Sequence, residues 1–221
     1  AALMMQTIAE SGAAMSGCSA IHMNIFSPNV IVVFGTEEQK ARMLPPLIEG
    51  QTRACFAVTE PDAGLDTTHL KTQALRVGDH YLVNGRKVWT STAQVADKIL
   101  LIARTKPIEE CDKPSDGLSL FYTDLDRTAV EVREIEKMGR KAVDSNELFI
   151  DGLRVPVDDR IGEEGKGFTY LLHGLNPERI LIAAESIGVG RAALARASQY
   201  AKDRIVFNRP IGQNQAIQHP L

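Results

Sequence analysis

The sequence predicts an α+β fold in three parts: helical, then antiparallel β, then helical again. Helix-type patterning fills the first fifty residues, period-two alternation begins at Arg53, and the helical period returns after Val155-Pro156. The predicted domains are 1–52, 53–160 and 161–221. No internal repeat or low-complexity tract competes with this order.

Each element has a local reason. AALMMQ at the start reads as mid-helix, and an apolar run over 23–34 is expected to break at Pro28. Thr36 and Gln39 form a T-x-x-Q capping box that opens a helix over 37–44, with Pro45-Pro46 expected to end it. Alternation in HYLVNGRKVW predicts a hairpin at Asn84-Gly85, and further strands are expected at 99–104, 117–123, 129–135 and 147–150. The loop TKPIEECDKPSD (105–116) is the most polar and least structured part of this domain. Asn176 and Pro177 read as a helix entry with Pro in the first turn, leading into a long, largely buried helix that ends before Pro210.

Bulk properties exclude several function classes. A chain of 221 residues that is 44% hydrophobic can bury a real core. A net charge of −3 and a pI near 6.0 offer no basic field for nucleic acid. No stretch is expected to approach the apolar length that crosses a bilayer. Cys18, Cys55 and Cys111 are odd in number and lack CxxC or Cys/His spacing, so neither a disulfide framework nor a metal site is indicated, and a reducing compartment fits. The start without an initiator Met or targeting signal, and the stop at HPL after a new helical start, read as part of a longer chain.

Two segments carry the chemistry, AVTEPDAGLD (57–66) and KVWTS (87–91). Both read as strand ends. Exposed amides, small hydroxyls and the single Trp suit a planar heterocycle with many acceptors attached to a pyrophosphate, such as a flavin dinucleotide. Taken one at a time, Trp89 is a core aromatic, Thr59 a turn residue and Ser91 a strand-end hydroxyl.

In order, T-E-P-x-A-G-x-D and N-G-x-K-x-W-T-S resemble the middle domain of the acyl-CoA dehydrogenase family. FGTEEQKARMLPPLIEG (34–50), NELFIDGLRVP (146–156), GEEGKGF (162–168) and RIVFNRPIGQNQ (204–215) extend the resemblance over most of the chain. It implies a middle β-barrel or sandwich between helical domains, with the beginning of the first and most of the C-terminal bundle outside this sequence. It also implies FAD as cofactor, an acyl-CoA substrate, an electron-transferring flavoprotein as partner, and a homodimer or homotetramer. The implied role is fatty acid or amino acid catabolism, including β-oxidation, in a bacterial cytoplasm or mitochondrial matrix.

The family reaction takes a proton from the carbon next to a thioester carbonyl and passes a hydride from the following carbon to flavin N5, leaving a trans-2-enoyl-CoA. The resemblance puts Phe56, Ala57, Val58 and Thr59 along the isoalloxazine, with Thr59 donating to its pyrimidine edge. Trp89 becomes the aromatic neighbour of the ring, and Thr90 and Ser91 lie beside it, with the Ser91 hydroxyl near N5. Gly64 permits close backbone approach or positive φ. Leu65 stands where the family commonly has Ser, so only its amide is carried over. Arg204, Phe207 and Gln215 resemble the segment that reaches the ADP half of the flavin in a neighbouring subunit. Asn208, where the family has Gly, tolerates left-handed angles.

Many family members carry the base far along the C-terminal domain. The isovaleryl-CoA and long-chain types place it just before an Arg on the long helix, the position of Glu178 in N-P-E-R. Burial among Leu175, Ile180 and Leu181 would raise such a carboxylate toward the task of taking an α-proton. Glu185, seven residues on and on nearly the same helix face, is its rival from the residues alone. Asn176 and Arg179 resemble positions contacting the CoA portion, against a plainer role in capping and solvation. Two other readings stand beside the dehydrogenase: a flavin oxidase or monooxygenase on the same fold, and a non-catalytic acyl-CoA-binding module.

Overall fold

The computed structural model describes residues 1–221, the side chain of Phe26 aside. α1 (Ala2–Ile8) passes through a wider turn at Ala9–Ala13 into α2 (Ala14–Phe34), and the chain bends where Gly12 takes φ 100°. α3 (Glu37–Ile48) starts on the expected capping box, with the Gln39 amide donating to Thr36 Oγ1 and the Thr36 amide to Gln39 Oε1. Prolines do not end these helices. Pro28 lies inside α2, and Pro45 and Pro46 lie inside α3. Val30 and Ile31 in α2, and Met43 and Leu47 in α3, are buried in one core cluster, and that burial outweighs the lost backbone bonds.

The sheet contains β1 (Ala54–Ala57), β2 (Gln73–Val77), β3 (His80–Ser91), β4 (Lys98–Arg104), β5 (Leu118–Asp124), β6 (Val130–Glu134), β7 (Ser145–Pro156) and β8 (Arg160–Ile161). Its order is β6-β7-β3-β2-β4-β5-β8, with β1 on β4. Most pairings are antiparallel, but β1 and β2 meet β4 in parallel. Side chains from β1 to β7 converge on one cluster that includes Tyr81, Val83, Leu101, Phe121 and Leu148, so the sheet curls around its own core. Leu100 and Ile102 point the other way, toward Val30, Ile31 and Met43. β4 is therefore buried on both faces.

The hairpin expected at Asn84-Gly85 is instead at Gly78-Asp79, where Val77 pairs with His80 and Gly78 takes φ 64°. Asn84 and Gly85 sit inside β3 at a register shift, and Asn84 Oδ1 accepts from the Gly152 amide at 2.8 Å. Gly85 is required by close approach, since a Cβ there would lie 2.4 Å from Thr72 Oγ1.

α4 (Gly167–Asp203) begins nine residues before Asn176, so Pro177 is inside it and not at its entry. Nor is α4 largely buried. Ile180, Ile187 and Leu194, spaced seven apart, form an exposed stripe, and Ala201 is the buried residue of the helix beyond Gly188. The chain then forms a hairpin of β9 (Ile205–Val206) and β10 (Arg209–Pro210), followed by α5 (Gln215–Gln218). Two compact units result, Ala1–Ser19 with Arg179–Leu221, and Ala20–Glu178. In the first, a Cβ on Gly188 would lie 2.2 Å from the Gln6 carbonyl, so α1 and α4 pack backbone to backbone.

The expectation about membrane length is corrected. The helical run Ala2–Phe34 is long and apolar enough, by length and composition, to cross a bilayer. Its Met5, Cys18, Val30 and Ile31 are nonetheless buried by protein.

Candidate functional site

The two motif segments meet at the ends of β1 and β3. The Val88 amide donates to the Thr59 carbonyl at 2.9 Å, and Lys87 Nζ donates to the Val58 carbonyl at 3.0 Å. After Thr59 the chain turns tightly, with Glu60 and Ala63 exchanging both backbone bonds at 3.1 Å. Phe56 and Val58 are half-buried and Ala57 is buried, so this edge is apolar and anchored.

β3 ends in a bulge. Its register against β7 shifts between Lys87 and Thr90, and Trp89 within the shift takes φ 63°. Lys87 and Thr90 on either side are buried, whereas Trp89 is 60% exposed. A bulge re-aims a side chain in this way, and the left-handed angle costs a bulky residue about 1–3 kcal/mol. Among the described residues the hydroxyls of Thr59 and Ser91 make no hydrogen bond, and both are half-exposed.

The strand end is braced from behind. Asn146 Nδ2 donates to the Thr90 carbonyl at 2.9 Å, and Gln94 Nε2 to Asn146 Oδ1 at 2.8 Å. Arg127 Nη2 donates to the carbonyls of Ala93 at 2.6 Å and Ala96 at 3.0 Å. Glu60 is held by the Lys71 amide at 2.6 Å, the Thr72 amide at 3.0 Å and the Lys87 ammonium at 2.9 Å. Burial pushes Lys87 down to about 8, against the attraction of Glu60. Burial also opposes ionisation of Glu60, but Lys87 and the hydrogen bonds from Thr72 and Lys71 bring it below the usual carboxylate range.

Sequence reasoning passed over Lys87 and Glu60, although both stand in the quoted motifs. Alternation was the available signal: Tyr81 and Val83 point inward, and Lys87 falls on the same face. Asn146 and Arg127 come from a distant strand and loop and Gln94 from the turn after β3, and none carried such a signal.

An exposed indole and two unengaged hydroxyls on neighbouring, hydrogen-bonded segments fit a planar ring carrying acceptors. Gly64 follows on the same loop. It does not use positive φ, and a Cβ there would meet nothing within 4 Å, so the backbone is open to a ligand. Leu65 is fully exposed. A cavity of about 520 Å³ in the Ala20–Glu178 unit reaches Thr92, next to Ser91 in the chain, and Met23, Arg53 and Asp144 also line it. A larger hollow of about 820 Å³ lies by Phe34, Arg42, Arg160 and Tyr170, and no predicted site residue lines either space.

Glu178 is half-buried in the interior of α4, with its Oε2 atom buried. It is thus no first-turn carboxylate, and Asn176 does not cap the helix. Near it on the helix Leu175 is half-buried and Leu181 buried, whereas Ile180 is 62% exposed. Glu185 is 0% exposed. Asn176 and Arg179 are exposed on α4. Arg204 is exposed just after α4, and Gln215, also exposed, opens α5. Phe207 and Asn208, at φ 53° and 60°, are the two central residues of the β9–β10 hairpin, which left-handed angles at both positions close in the strand twist. The Phe207 ring stands 94% exposed.

Comparison with known proteins decides the family. Models of the acyl-CoA dehydrogenase N-terminal, middle and C-terminal domains match residues 1–51, 55–153 and 165–221. The chain belongs to the acyl-CoA dehydrogenase family. It is 35% identical to acyl-CoA dehydrogenase fadE12 of Mycobacterium bovis, over 99% of this chain and 55% of the relative. It is 36% identical to the caffeyl-CoA reductase-Etf complex subunit CarC of Acetobacterium woodii, over 94% of this chain and 55% of the relative. A crystal structure of a probable acyl-CoA dehydrogenase from Mycobacterium abscessus superposes with a TM-score of 0.90 at 31% identity, covering 99% of this chain and 57% of that one. The chain spans about half the length of these relatives.

Proposed function

We propose that the chain is the flavin-holding part of an FAD-dependent enzyme that removes hydrogen from an acyl-CoA thioester, giving a trans-2-enoyl-CoA. The observation that carries this reading is the Trp89 bulge, with the unengaged Thr59 and Ser91 hydroxyls on the same edge. Phe56, Ala57, Val58 and Thr59 would lie along the isoalloxazine, with Thr59 donating at its pyrimidine edge, Trp89 as its aromatic neighbour, Thr90 alongside on the strand and the Ser91 hydroxyl near N5. Gly64 and the Leu65 amide, with Arg204, Phe207 and Gln215 from a neighbouring subunit, would meet the pyrophosphate and adenosine. When bound, FAD supplies the hydride acceptor.

Glu178 takes the α-proton in this proposal. A half-buried carboxylate inside α4 keeps its position through the reaction, and partial exclusion of water strengthens its pull on the proton. Asn176 and Arg179, exposed on the same helix, would bind the CoA portion, Arg179 by its planar fork to phosphate or carbonyl oxygens. An electron-transferring flavoprotein as partner, a homodimer or homotetramer, and a bacterial cytoplasm or mitochondrial matrix complete the reading.

A second reading runs the same site in reverse, reducing an α,β-unsaturated thioester, and the relative named a caffeyl-CoA reductase favours it. Both are tested on the full chain by following flavin absorbance without oxygen. Bleaching by saturated acyl-CoAs supports dehydrogenation. Reoxidation of chemically reduced flavin by enoyl-CoAs, with no bleaching by any saturated thioester, supports reduction. Glu178→Gln should keep the FAD spectrum and lose bleaching, whereas retained bleaching would remove Glu178 from the role of base.

A further inference from the structure

The only fully buried lysine of the Ala20–Glu178 unit among the described residues, Lys87, immediately precedes the Trp89 bulge. Its ammonium reaches across to the other motif segment and donates to the Val58 carbonyl at 3.0 Å and Glu60 Oε1 at 2.9 Å. The next residue, Val88, donates its amide to Thr59. Three consecutive residues, 58, 59 and 60, are thus gripped by two consecutive residues of β3. Glu60 completes the grip on its far side, accepting from the Lys71 and Thr72 amides. Gly85, two residues before Lys87, lets β3 lie directly on Thr72.

We propose that Lys87 and Glu60 are a positioning pair that sets the spacing between Thr59 and the Trp89–Ser91 strand end, and through it the affinity and environment of the bound flavin. Both side chains are buried behind the exposed strand end. A buried ion pair is a poor source of stability, because desolvation cancels much of the attraction, whereas removing one partner leaves a buried charge uncompensated. Such a pair serves to select one arrangement over others. Here the arrangement selected is the one in which a hydroxyl on each segment and the exposed indole between them face the same ligand. Glu60 is the charged group that acts on Lys87, and Arg104 is the other cation that feels Glu60. Opposite Lys87, β7 presents uncharged Leu148.

The inference rests on the flavin reading, and its test separates the two. Wild type, Glu60→Asp and the double variant Lys87→Met/Glu60→Gln are prepared as full chains. Thermal melting, FAD dissociation constants and visible circular dichroism of the flavin are then measured well below the melting point. Glu60→Asp keeps the charge but shortens the reach by one methylene, and the double variant removes both charges at similar volume. Both should fold with cooperative melts, yet bind FAD about 10- to 100-fold more weakly and with altered visible dichroism, as expected when groups behind a binding edge are loosened. Wild-type affinity and dichroism in both variants would overturn the positioning role, whatever their melting points. If wild type itself binds no FAD, the flavin reading fails first, and the pair with it.

Discussion

Replacing Arg104 by Met should unpin two loops at once. Arg104, at the end of β4, is buried and donates to five carbonyls: Thr68 at 2.7 Å, Pro114 at 3.0 Å, Asp116 at 3.1 Å, Leu70 at 3.2 Å and Lys106 at 3.5 Å. Four of these are good hydrogen bonds, and bonds from a charged donor are worth about 1.5–3 kcal/mol each. Against them stands the cost of burying a guanidinium with no carboxylate bonded to it, several kcal/mol. Burial accordingly pulls Arg104 below its ordinary value. The difference leaves a net loss of about 3–5 kcal/mol for Arg104→Met, since the carbonyls lose their donor and Met offers none. Lysine should not restore it, because one ammonium cannot span acceptors that a planar fork reaches together. Urea unfolding measures the loss, and limited proteolysis locates it, with new cuts expected within 105–117 and 66–70. A variant within about 1 kcal/mol of wild type and uncut in both loops would refute the reasoning.

Other outcomes follow from packing and titration. Gly188→Ala should cost about 1–3 kcal/mol, because its Cβ would sit 2.2 Å from the Gln6 carbonyl. Gly190→Ala, two residues on with nothing within 4 Å, should be neutral or stabilising by up to about 1 kcal/mol, and paired thermal melts compare them. Thiol labelling of the native chain at pH 8 should modify Cys111 rapidly and spare Cys55, whose thiol burial pushes up to about 12; equal rates would contradict the burial.

Much of this protein was legible before its structure. The capping box at Thr36 and Gln39 is a local exchange of hydrogen bonds, so four residues suffice to specify it. Alternation located β3, because side chains on a strand point to opposite faces whatever the strand pairs with, whereas β4 to β7 followed from β-rich runs. Proline misled three times, at Pro28, Pro45-Pro46 and Pro177. In each helix the local cost of a missing N–H was smaller than the gain from burying neighbours such as Ile31, Leu47 and Leu181. Asn84-Gly85 misled for a related reason: the same dipeptide that closes a hairpin also serves where Gly85 must lie against Thr72 and Asn84 must meet Gly152.

By itself, then, the sequence determined the order of elements, the family and which residues carry functional groups, since these depend on residue identity and short-range spacing. Only the tertiary structure decided that Trp89 faces outward from a bulge, that Lys87 turns inward to grip the segment around Thr59, and that Arg104 closes the loop that had read as least ordered. The bulge register and the lysine grip join residues tens of positions apart, and Arg104 ties its own loop back to Thr68 and Leu70 on another. A bulge register, a buried charge's partner and a loop's anchor are properties of which strands come together, and nothing in the local pattern of either strand encodes them.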